Sequence, residues 1–356
     1  MLGLAETDGS VVHTLQDTTG SVAVTTSARV AGDRLFVGSL TEPTIAVLST
    51  YGDSRTDWLR AGQALQRVLL EATLDGVQAS FRNEPLEMLA ELRVLVAELN
   101  ALGCTGTIDV LGEDIDSEEQ VAAALALYRE ALDGIRDNRL QCGISVKLSE
   151  LGLRFDVGGC KAAMRSLLES AREHGSFVRI DMEDSSVTDI TLEIYRELRE
   201  EYDRVGAVIQ SCLHRSRQDV IDLMEDGPTD IRLCKGIYLE PGEIAYTDAD
   251  DIRDSFSDIL DLLLEGGARV GIATHDPILI DRAVESLQRF DVYTDQYEFQ
   301  MLLGVAERLR SRLIAVGHPL RVYVPFGSLW YNYSMRRLRE NPGSAGHIVK
   351  NLFTRS

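Results

Sequence analysis

Residues 143–182 read GISVKLSELGLRFDVGGCKAAMRSLLESAREHGSFVRIDM. Two short apolar runs, Gly143–Leu148 and Phe177–Met182, bracket a stretch from Gly159 to Gly175 whose apolar residues recur at three- and four-residue steps. That spacing predicts a strand, an amphipathic helix and a second strand, and a crossover of this kind leaves the two strands parallel. The unit repeats outward in both directions. TIDVL (107–111) precedes it, and GAVIQS (206–211), IRLCK (231–235), RVGIAT (269–274), a short QYEFQ (296–300) and RVYVP (321–325) follow it. Helical candidates such as EQVAAALALYREALDGI, ITLEIYRELREEYD and IRDSFSDILDLLLEGG lie between. Eight strand–helix units in roughly 250 residues are the arithmetic of a (β/α)8 barrel, an α/β fold. An open doubly wound sheet is the alternative, but the GxGxxG fingerprint after its first strand is missing.

The chain has 356 residues, 44% of them hydrophobic, which is ample for a packed core. Its formal charge of -21 argues against a nucleic-acid partner, because a phosphate-binding surface needs clustered Lys and Arg. The five cysteines (Cys104, Cys142, Cys160, Cys212, Cys234) form no CxxC pair, so reduced thiols are expected, with no disulfide framework and no metal site. The N-terminus MLGLAETDGS lacks a basic region followed by an apolar stretch, and no run is long enough to span a bilayer. A cytoplasmic protein is the expectation.

Polar residues gather at the C-terminal ends of the strands, where a barrel keeps its active site. They are Gly112 and Glu113, Lys147, Asp181 to Asp184, Gln210 and Arg215, Arg232 with Lys235, Gly236 and Tyr238, Thr274 to Asp276, Glu298 and Gln300, and Tyr323. Near the end of the chain YNYSMRRLREN places Tyr333, Arg336, Arg337 and Glu340 on one helical face, behind Trp330 and Tyr331. Two adjacent guanidinium groups repel each other and suit a carboxylate or phosphate guest, and the aromatic walls suit a small anion with an apolar body.

From about Gly103 to Leu352 the chain resembles the proline dehydrogenases, flavin enzymes that oxidise L-proline. The resemblance rests on IDVLGED, ISVKLS, IDMED, IRLCKGIYLE, ATHD, YEFQMLLG, RVYVPFG and YNYSMRRLREN, in family order and at family-like spacing. It implies a distorted (β/α)8 barrel that holds FAD without a covalent bond, with a terminal helix over the barrel mouth. It implies that Asp181 and Arg232 are catalytic-site residues. Lys147, Arg336 and Arg337 would grip the proline carboxylate, Leu302, Tyr323 and Tyr333 would wall the ring, and Glu340 would hold an arginine. Met182, Gln210, Lys235, Gly236, Ile237, Thr274 and His275 would bind FAD, although His275 also reads as a buried, hydrogen-bonded histidine at a strand end. The implied product is 1-pyrroline-5-carboxylate, and the implied electron acceptor is a quinone, reached by transient contact with the inner face of the membrane.

The first part of the chain departs from that pattern. Residues of about 38–94, including PTIAVLSTYGDSRTDWLRAGQALQRVLLEATLDGVQASFRNEPLE, resemble a C-terminal fragment of a nitroreductase-like protein, a family that binds FMN at a dimer interface. Locally they predict a strand (TIAVLST), a helix capped at Asp57 with Leu65, Val68, Leu69 and Ala72 on one face, and a second strand (QASF). The earlier TLQDTTGSVAVTTSARVAGD is rich in Thr, Ser and Gly and is read as poorly ordered. A boundary near Asn83 divides an accessory α+β segment, 1–83, from a barrel domain, 84–356.

Two other readings remain open at this point. Lys147 and Lys235 both sit on strands, as the Schiff-base lysine of a barrel lyase does. A fusion product whose foreign N-terminus blocks activity is the other. Oligomeric state is not legible in the chain.

Overall fold

The structure, a computed structural model, describes residues 89–112 and 115–327, together with five short strands before them. Those strands are β1 (Leu2–Ala5), β2 (Val11–Leu15), β3 (Thr25–Ala31), β4 (Arg34–Ser39) and β5 (Ile45–Ser49). β1 and β2 form an antiparallel pair, and β3, β4 and β5 an antiparallel sheet in that order. β5 lies within the predicted TIAVLST strand. β3 falls inside the stretch read as poorly ordered: Thr25, Thr26 and Val30 are β-branched and favour extended backbone, which composition alone does not register. The expected helix from Asp57 and the strand at QASF lie outside the described residues, as does the terminal helix.

The larger compact unit begins at Pro85. Helix α1 (Leu89–Ala101) leads into β6 (Thr105–Val110). There follow α2 (Glu118–Asp137), β7 (Cys142–Val146), α3 (Val157–Glu173), β8 (Val178–Ile180), α4 (Thr188–Glu201) and β9 (Val205–Gln210). The series ends with α5 (Ser216–Glu225), β10 (Asp230–Cys234), α6 (Ala249–Glu265), β11 (Arg269–Ala273), α7 (Pro277–Arg289), β12 (Tyr297–Leu302), α8 (Glu307–Ala315) and β13 (Leu320–Phe326). β6 to β13 close into an eight-stranded barrel, every pair parallel and each strand beside its neighbour in sequence. Closure comes from β13 pairing with β6, Tyr323 opposite Thr107. No described helix is long and apolar enough to cross a membrane.

Sequence chemistry accounts for the helices. α7 buries Leu279, Ile280, Ala283 and Leu287, the one-sided stripe a surface helix lays on a barrel. Ser117, Asp156, Asp248 and Asp276 cap α2, α3, α6 and α7, each side chain accepting an orphan N–H of the first turn. In β12 the apolar Tyr297, Phe299 and Met301 alternate with Glu298 and Gln300, and all five are buried. Period two then sends the apolar set to one face of the barrel wall and the polar pair to the other.

Candidate active site at the barrel mouth

Asp181 follows β8 directly, and three strands bring partners to it. Oδ1 accepts from Ser145 Oγ on β7 at 2.8 Å and from Arg232 Nη1 on β10 at 2.6 Å, while Oδ2 accepts from the Tyr323 hydroxyl on β13 at 2.9 Å. Arg232 is 6% exposed, and its guanidinium carbon lies 5.2 Å from the centroid of the Tyr323 ring. Its Nε donates to Gln300 Oε1 at 2.6 Å. A cation so placed is desolvated, paired and set against an aromatic ring, which restricts its movement.

Lys147 sits just past β7 and is joined to Asp109 on β6, with Glu150 Oε1 at 3.6 Å. Asp109 is fully buried, and its Oδ2 has no hydrogen-bond partner among the described residues. Burial pushes its carboxyl up, against the pull of Lys147. Glu150 accepts from Tyr128 at 2.7 Å and from the Gly112 N–H at 3.1 Å; burial raises it to about 8, again opposed by Lys147. Burial alone would make Lys147 easier to deprotonate, but Asp109, Glu150 and Asp181 outweigh it and hold the ammonium charged. A Schiff-base lysine needs the opposite shift, so the geometry does not favour the lyase reading.

The residues that the resemblance assigned to a cofactor occupy the neighbouring strand ends. Gln210 closes β9 and donates Nε2 to the Glu183 carbonyl at 2.9 Å. Glu183 in turn accepts from Ser149 N at 3.0 Å and Oγ at 2.5 Å. Met182 is buried beside them. Lys235 pairs with Asp276 at 2.9 Å, sharing it with Arg253 at 2.8 Å. Gly236 has φ +100°, and a Cβ there would collide with Cys212 Sγ, so only glycine suits this turn. Ile237 follows it, half-buried. Thr274 Oγ1 accepts from Asp276 N at 3.1 Å. His275 Nε2 accepts the Leu302 N–H at 2.8 Å, which leaves the ring proton on Nδ1. Burial, then the nearby Lys235 charge, lowers this histidine to about 4 and keeps it neutral.

The structure thus joins Asp181, Arg232 and Tyr323 directly, and links His275 to Leu302. Lys147 stands with Asp109, close enough to Asp181 to feel its charge. Tyr333, Arg336, Arg337 and Glu340 lie outside the described residues. Sequence reasoning gave no role to Asp109, Ser145, Glu150 or Tyr128, and only a place at a strand end to Gln300. One signal was available: Thr107 and Asp109 alternate with Ile108 and Val110, which sends both polar residues to the inner face.

Residues 94–350 match the family model for proline dehydrogenase. The chain belongs to the proline dehydrogenase family. Among curated proteins, the chain is 33% identical to proline dehydrogenase 2 of Bacillus subtilis, over 72% of its own length and 84% of the relative's. It is 34% identical to the proline dehydrogenase of Deinococcus radiodurans over the same shares of the two chains. Among solved structures it superposes on proline utilization A from Bdellovibrio bacteriovorus with a TM-score of 0.69 at 23% identity. That match covers 80% of this chain and 34% of the other, so the chain spans about a third of the longer protein, and the likeness is one of fold.

Proposed function

We propose that the barrel mouth is the proline site of an FAD-dependent oxidoreductase of proline catabolism, with the chemistry centred on Asp181, Arg232 and Tyr323. The enzyme oxidises L-proline to 1-pyrroline-5-carboxylate. The observation that carries the site assignment is the junction of Asp181 with Arg232 and Tyr323 at the C-terminal strand ends, inside the segment the family spans.

The family is generally FAD-dependent, and the residues present suit such a group. Gly236 offers a turn without a side chain beside buried Gln210, Lys235 supplies a cation and His275 a neutral ring donor. We assign FAD to Met182, Gln210, Lys235, Gly236, Ile237, Thr274 and His275. FAD, when bound, supplies the two-electron acceptor.

The chain's own residues bind, orient and balance charge. Lys147 has three N–H donors and commits one to Asp109, with Glu150 a charge neighbour at 3.6 Å, so it can still reach a substrate carboxylate. Arg336 and Arg337 complete the carboxylate clamp, Glu340 steadies them, and Tyr333 and Leu302 wall the ring; these roles rest on the sequence resemblance. Making the C=N bond requires a hydride to leave C5 and a proton to leave nitrogen. The Arg232 guanidinium, a planar cation, would stabilise negative charge developing on the two-electron acceptor. Residues 1–83 are read as an accessory segment and 84–356 as the catalytic domain. Electrons pass on to a quinone at the inner face of the membrane.

Acid release of the chromophore from the purified protein tests this reading. Stoichiometric FAD, retained in Arg232→Met but reduced far more slowly by saturating proline, is the expected outcome. A folded protein that takes up no FAD contradicts it.

A further inference from the structure

Arg232 does not hold its orientation alone. Nη1 is engaged by Asp181 and Ser145 and Nε by Gln300, while Nη2 takes part in no hydrogen bond among the described residues. The contact to Gln300 is the one that fixes the plane of the guanidinium, because it ties a second nitrogen to a different strand. Gln300 itself has no freedom to turn. Its Nε2 donates to Glu298 Oε1 at 2.6 Å, and a carboxylate can only accept, so the amide oxygen must face Arg232. Glu298 stays ionised because Arg321 grips it at 2.6 and 3.1 Å and Arg269 stands at 3.4 Å. The slot for the amide is provided by Gly271, where a Cβ would collide with the Gln300 nitrogen.

We propose that Gln300 is a positioning residue for proline oxidation: anchored by Glu298 in the slot beside Gly271, it holds Arg232 so that Nη2 is presented to the reacting centre. The inference rests on the role assigned above to Arg232. Removing the acceptor frees the guanidinium to rotate about its remaining contacts and leaves a buried Nε–H unpaired. Its effect therefore appears in the chemical step, with little change in proline affinity or in cofactor content.

The test uses the purified FAD-loaded full-length chain. Gln300→Leu keeps the bulk and loses the acceptor. It is expected to reduce its flavin at saturating proline on the order of 10- to 100-fold more slowly. Affinity for a non-oxidisable proline analogue should stay within about threefold. The flavin reduction potential should fall, because the cation is less well placed, and FAD content should be unchanged. In an Arg232→Met background the same substitution should add almost nothing, as residues acting through one another are non-additive. Gln300→Glu is the second variant: protonated, it accepts from Arg232 and donates to Glu298 as the amide does, so its rate relative to the parent should recover as pH is lowered. Parental rate and potential in Gln300→Leu overturn the proposal, as do fully additive losses in the double variant. If Arg232→Met alone keeps the parental rate, the role of Arg232 fails instead, and the two failures are thereby distinguished.

Discussion

Tyr323 on β13 donates its hydroxyl to Asp181 Oδ2 at 2.9 Å while its ring faces the Arg232 guanidinium carbon at 5.2 Å. One side chain thus touches both members of the ion pair at the barrel mouth. The contact joins residues 142 apart in sequence, and it exists because barrel closure sets the last strand beside the first.

Tyr323→Phe separates the two contacts. The ring stays over Arg232, while Asp181 loses a donor but keeps Ser145 and Arg232. A hydrogen bond to a charged group contributes about 1.5–3 kcal/mol, so kcat/KM should fall on the order of 10- to 100-fold. Steady-state kinetics with proline check this, with flavin content as the control expected not to move.

Glu298 is a stability determinant. Burial alone would raise its carboxyl, but Arg321 and Arg269 outweigh that and hold it at about 2. Glu298→Gln leaves Arg321 without its anion inside the barrel, while Arg269 keeps Asp230 at 2.9 Å, and should cost about 3–5 kcal/mol at pH 7. Because the folded-state pKa is depressed, this stability is present above the unfolded carboxylate value near 4.5 and is lost as pH falls toward 2. The urea-denaturation stabilities of parent and variant should therefore draw together below about pH 4.5 and converge only as pH approaches 2.

The same linkage applies to His275 with the proton on the unfolded state. Its folded pKa of about 4 lies below the 6.5 of a free histidine, so stability is full above 6.5 and declines as pH falls toward 4, by at most roughly 3 kcal/mol. His275→Gln retains an acceptor for the Leu302 N–H without a titrating ring. Its unfolding free energy should be flatter than the parent's between pH 7 and 4.5.

The barrel was legible in the sequence because each strand is a short apolar run and each helix a one-sided stripe, as in β7, α3 and β8. The ends of the strands were less so. GISVKL and FVRIDM both run on past the observed strands, since Lys147 caps a turn of 3-10 helix and Asp181 leaves the sheet to meet Arg232. Asp181, Arg232 and Tyr323 were visible as polar residues at strand ends. Asp109 and Ser145 were not, because they become neighbours of the site only through the inward phase of their strands and the closure of the barrel; Gln300 was visible at a strand end, but its contact with Arg232 was not. Glu150 and Tyr128 come from a turn and a helix, where no periodic signal marks a residue that will face a buried lysine.

All eight strands of the closed barrel follow Pro85. A chain lacking residues 1–83 should express as a folded protein, bind FAD and oxidise proline at a rate within about threefold of the parent. Loss of soluble expression or of activity would make the segment structural.

The most direct test is anaerobic addition of L-proline to the purified, FAD-loaded protein while the flavin absorbance is followed. The account predicts complete bleaching, with one equivalent of 1-pyrroline-5-carboxylate formed per flavin reduced. A bound flavin that stays oxidised at saturating proline would contradict it.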